Sequence, residues 1–71
     1  MAVINNLKYW RHMLQMNQTE FAEYLGVSRG QCNRYENQAV QPTLEVAIKI
    51  YKKLKTRFTD ITFLDIFDTV D

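Results

Sequence analysis

Apolar residues fall into four runs at helical spacing between residues 7 and 55, with short polar breaks between them. Asn5 and Asn6 can each cap a helix, and Leu7, Trp10 and Leu14 then recur at i, i+3 and i+7, which predicts a first helix over about Leu7–Gln15. Met16 reads as an apolar staple ahead of the next cap. Asn17 followed by Glu20 is a capping-box spacing, and Phe21, Ala22 and Leu25 give helix two its buried stripe. Gly26 closes that helix because glycine takes a left-handed conformation without steric penalty. Val27 plugs the turn.

Ser28 caps a third helix, with Gln31 as its reciprocal partner, and Cys32 and Tyr35 face inward at i, i+3. Residues 37–42 form a loop closed by Pro42, the only proline. Thr43 caps a fourth helix over Leu44–Lys55, whose apolar positions (Leu44, Val46, Ala47, Ile48, Ile50, Tyr51, Leu54) make a stripe broad enough to pack on two sides. The last segment mixes β-branched and aromatic residues. A short helix over about Phe63–Phe67 capped by Thr62 is predicted, with a strand around Arg57–Thr62 as the rival. The expectation is thus an all-α domain of four to five short helices.

The chain has 71 residues, enough for one small domain with a marginal core. Four Phe, four Tyr and one Trp favour a folded chain over a disordered one. The single cysteine excludes an internal disulfide framework and fits a reducing cytoplasm. With one histidine beside it, it cannot build a zinc site within one chain, and no cofactor motif is present. The N-terminus does not read as a signal sequence, and no apolar run is long enough to span a bilayer. The net charge of +1 conceals an asymmetry: residues 1–59 carry nine Lys/Arg against four Glu, a net +5, whereas residues 60–71 carry four Asp and no base. The carboxylates show no catalytic or metal-loop spacing, and His12 has no Asp or Ser neighbour in a catalytic pattern, so no enzyme is expected.

Asn17–Asn37 therefore reads as two short helices joined by a glycine turn, the second carrying long polar side chains away from its apolar face. That is the sequence form of a DNA-reading helix-turn-helix. Arg29, Gln31, Asn33 and Arg34 are the candidate base readers, since Arg can grip guanine, and Asn or Gln adenine, through two bonds each. Gln18, Ser28, Asn37 and Gln38 are the candidate phosphate contacts. Gly30 sits among the readers without a side chain, either to let the backbone approach DNA or as a tolerated first-turn glycine. Lys8, Lys49, Lys52, Lys53, Lys55 and Arg57 read as a solvated face.

From Leu7 to Leu54 the chain resembles the phage-repressor and Cro type of helix-turn-helix, also called the xenobiotic-response-element type. The likeness rests on Leu7, Trp10 and Arg11; on Gln18, Phe21-Ala22 and Leu25-Gly26-Val27-Ser28; on Arg34, Glu36 and Asn37; and on Pro42-Thr43-Leu44-Glu45. The resemblance implies a compact bundle of the lambda-repressor-like type with helix three as the reader. It also implies that Gln18 touches a phosphate and braces the reader, and that Arg11 and Glu36 form a structural ion pair. Three features depart from the family pattern: Asn37-Gln38 where Asn-Gly is common, Cys32 where Ile or Val is usual, and about six extra residues, Thr56–Ile61, before the last segment. The function implied is a sequence-specific, double-stranded-DNA-binding transcriptional regulator. It is expected to act as a homodimer through residues 58–70, within a C-terminal segment spanning 56–71. The rival is a protein-interaction module, or an antitoxin-like partner, on the same fold.

Overall fold

The computed structural model describes residues 2–70. In chain order it comprises β1 (Ala2–Asn5), α1 (Leu7–Met13), α2 (Gln18–Leu25), α3 (Arg29–Glu36), α4 (Leu44–Lys55), a 3-10 turn (Phe63–Asp65) and β2 (Phe67–Val70). The N-cap side chains expected for α2, α3 and α4 are engaged, whereas Asn6, the N-cap of α1, makes no side-chain cap bond. Asn17 Oδ1 accepts from the Glu20 amide at 2.8 Å, and the Glu20 carboxylate accepts from the Asn17 amide at 2.9 Å. Ser28 Oγ accepts from the Gln31 amide at 3.1 Å, and Thr43 Oγ1 from the Val46 amide at 3.4 Å. Gly26 closes α2 at φ 77°. The core gathers Leu7, Phe21, Leu25, Cys32, Ile50, Leu54 and Ile66, all fully buried.

Four expectations are corrected. The chain is not all-α: β1 and β2 pair antiparallel, from Ala2 opposite Val70 to Asn5 opposite Phe67. Helix one stops at Met13 rather than Gln15, because Gln15 turns to φ 57°. The helix placed over Phe63–Phe67 is one 3-10 turn that gives way to β2, and Arg57–Thr62 is turn and coil rather than strand. Finally, α4 does not bury a two-sided stripe. Ala47, Ile50 and Leu54 are buried, but Leu44 is 70% exposed and Ile48 41%.

The ends of the chain are tied to α3 by Asn5 and Gln38. Asn5 is buried; it donates to Tyr35 O and to Gln41 Oε1, both at 2.8 Å, and its Oδ1 accepts from the Leu7 amide at 3.1 Å. Gln38 reads β1 as a second strand would: its Oε1 accepts from the Asn5 amide at 3.1 Å and its Nε2 donates to Asn5 O at 2.9 Å. Gln38 holds φ 61°, where glycine is common in the family pattern. A left-handed conformation costs a non-glycine residue about 1–2 kcal/mol, and the two bonds to β1, which glycine cannot make, offset that cost. Among the described residues every buried side-chain nitrogen and oxygen finds a partner. No helix among them is long and apolar enough to cross a membrane.

Candidate nucleic-acid interface

The face of α3 opposite Cys32 and Tyr35 carries the candidate readers. Arg29, Gln31, Asn33 and Arg34 are all exposed. Among the described residues, the Arg29, Gln31 and Arg34 side chains have no hydrogen-bond partner within the protein, so their donors and acceptors are free for a ligand. The reciprocal cap expected from Gln31 is not formed: only its backbone amide engages Ser28. The start of α2 lies beside this face. Gln18, Arg29, Gly30 and Asn33 line one shallow cleft of about 290 Å³. A Cβ on Gly30 would meet nothing within 4 Å, so no internal packing requires glycine there.

Behind the candidate readers lies the one ion pair among the described residues. Arg11 Nε donates to Glu36 Oε2 at 2.9 Å, with the two side chains 15% and 3% exposed. Arg11 Nη1 also donates to Met16 O at 3.2 Å, so a single guanidinium joins α1, the turn after it, and α3. The pairing inferred from the family resemblance is therefore in place. Glu36 accepts two further bonds, from Cys32 Sγ at 3.5 Å and from Gln18 Nε2 at 3.4 Å. Gln18 Oε1 accepts from Asn33 Nδ2 at 3.3 Å, and Asn33 Oδ1 accepts from Asn37 Nδ2 at 3.2 Å. Asn33 is thus held on both sides, unlike Arg29, Gln31 and Arg34 on the same exposed face. Gln38, the fourth phosphate candidate, has its amide engaged with Asn5 and Gln41.

Residues 7–61 match the helix-turn-helix family. The chain belongs to that family. Among curated proteins, this helix-turn-helix protein is 37% identical over 57 residues to an uncharacterized HTH-type transcriptional regulator, MJ0272, of Methanocaldococcus jannaschii. The match covers 80% of the present chain and 86% of the relative.

Cys32, where the family pattern has Ile or Val, is fully buried. Burial, and then the Glu36 carboxylate beside it, push its thiol from 9.0 up to about 12, against a smaller opposing pull from Arg11. Thiolate chemistry is therefore suppressed in the native state. The linkage has a definite sign. The folded state holds this proton more tightly than the unfolded state, so stability is complete below pH 9 and falls between pH 9 and 12. The slope from this one group is at most about 1.4 kcal/mol per pH unit. Urea unfolding of wild type and Cys32→Val across pH 8–10.5 is expected to show a steeper alkaline decline in wild type. Parallel curves would refute the contribution.

Proposed function

We propose that this protein is a sequence-specific, double-stranded-DNA-binding transcriptional regulator that lays α3 in the major groove. The observation that carries this reading is the set of three long polar side chains, Arg29, Gln31 and Arg34, exposed together on one helix without partners among the described residues. Arg29 and Arg34 suit guanine, and Gln31 and Asn33 suit adenine. Gln18 at the start of α2, the Ser28 hydroxyl and Asn37 flank the reader and contact phosphates, helped by the free amides of the α2 N-terminus. Gln38 contributes there only through the second N–H of an amide already bound to β1.

The protein acts as a two-fold dimer, with half-sites about 34 Å apart. The sequence pointed to residues 58–70 for this contact, but Ile61, Ile66 and Phe67 are buried in the protein's own core. What supports dimerisation is an apolar groove that joins Phe63 and Phe67 of that segment to Val3, Pro42, Leu44 and Ala47, with Leu64 beside it. Val3 is 50% exposed, Leu44 70% and Leu64 65%. The contact therefore extends from Phe63 and Leu64 to β1 and the start of α4.

Selection from random duplex DNA tests both parts. Wild type is expected to enrich a palindrome. Arg34→Ala is expected to lose roughly 1–3 kcal/mol of discrimination at one base pair per half-site. No enriched sequence would favour the protein-interaction reading of the fold, and an enriched single half-site would sink the dimer.

A further inference from the structure

The three bonds that lead outward from Glu36 share one direction. Every donor points toward Glu36: Asn37 donates to Asn33, Asn33 to Gln18, and Gln18 to the carboxylate. This order follows from chemistry. A carboxylate accepts and does not donate, so Gln18 must turn its NH2 group to Glu36. Its oxygen then faces Asn33, which must answer with its own NH2, leaving the Asn33 oxygen to Asn37. At 3.2–3.4 Å these bonds are long, and each adds little stability. What they determine is orientation. An amide read from the groove presents either donor then acceptor or the reverse, and only one order fits a given adenine edge.

We infer that Glu36, buried and out of reach of DNA, is a positioning residue that sets the base preference of Asn33 through the orientation of Gln18. This rests on the DNA-reading function proposed above. Arg11 and Cys32 both donate to the same Glu36 oxygen. In Glu36→Gln that position must stay an oxygen, so the new amide nitrogen takes the place that faces Gln18. Gln18 then turns its oxygen inward, and Asn33 and Asn37 reverse in turn. One buried, nearly isosteric change thus exchanges donor and acceptor at Asn33 without adding or removing a group at the surface. Gln18→Met cuts the same chain of bonds while leaving the Arg11–Glu36 pair intact.

The test is selection from random duplex DNA with wild type, Glu36→Gln and Gln18→Met, each first shown to be folded by circular dichroism. The expected result is a change in preference of about tenfold or more at one and the same base pair per half-site in both variants. Gln18→Met should also lose affinity uniformly across sequences through its missing phosphate contact. In spectra of Glu36→Gln, the side-chain NH2 signals of Gln18 and Asn33 should shift while the α3 backbone amides stay in place. Retention of the wild-type motif by both variants, with only uniform weakening, would overturn the inference while leaving the DNA-reading function intact. If Glu36→Gln does not fold, Gln18→Met decides alone by the same criterion. Failure of wild type to enrich any sequence would overturn the DNA-reading function and this inference together.

Discussion

Arg11→Ala is expected to destabilise the protein by about 3–5 kcal/mol, the range for breaking a buried ion pair by removing one partner. The pair is shielded, with Glu36 3% exposed and Arg11 15%. Without the guanidinium, the carboxylate keeps only the Gln18 amide and the Cys32 thiol, at 3.4 and 3.5 Å. Neither is charged, so the remaining negative charge is poorly compensated. The loss also frees Met16 O and loosens the turn between α1 and α2. A domain of this size holds only about 4–10 kcal/mol in total, so the loss removes roughly a third or more of the stability. Urea unfolding at fixed protein concentration checks this. A loss below about 1 kcal/mol would show that water reaches Glu36 and that the pair is not structural.

Phe67→Ala should cost a comparable amount, about 3–5 kcal/mol, because it empties a filled core position. Phe67 is 5% exposed, its ring centroid lies 5.3 Å from that of Phe63, and its backbone sits opposite Asn5 in the β ribbon. Leu64→Ala, only three residues away, should change unfolding of the single chain by about 0.5 kcal/mol or less, since Leu64 is 65% exposed. Its effect should appear in self-association instead. Thermal unfolding paired with sedimentation separates the two cases. If Phe67→Ala left unfolding unchanged and shifted only the oligomeric state, the C-terminal segment would be a dimer contact throughout, as its apolar composition first suggested.

That contrast marks where the sequence was hard to interpret. Ile61, Phe63, Leu64, Ile66, Phe67 and Val70 look alike as an apolar tail, and composition cannot say which of them face inward. The strand partners of β2 all lie at the other end of the chain, and no local period announces a strand whose pair is more than 60 residues away. The same holds for Gln38. Its place after α3 suggested a phosphate contact, yet in the fold its amide meets Asn5, 33 residues distant. In α4 the apolar count overstated burial, because Leu44 and Ile48 stay 70% and 41% exposed in the folded chain.

By itself, the sequence determined what depends on neighbours within four residues. The caps at Asn17, Ser28 and Thr43, the glycine stop at residue 26, the buried stripes of α2 and α3, and the 44–55 span of α4 are local choices. Each is settled by a hydrogen bond or a steric rule that nearby residues satisfy. The exposed set on α3 follows from the same periodicity. Only the tertiary structure decided what depends on chain segments meeting at a distance: the β1–β2 ribbon, the Gln38 clamp, and the line of amides from Glu36 to Asn37. A side-chain amide can donate or accept with equal ease, so its role stays open until folding places a group of fixed polarity beside it. Here that group is the carboxylate of Glu36.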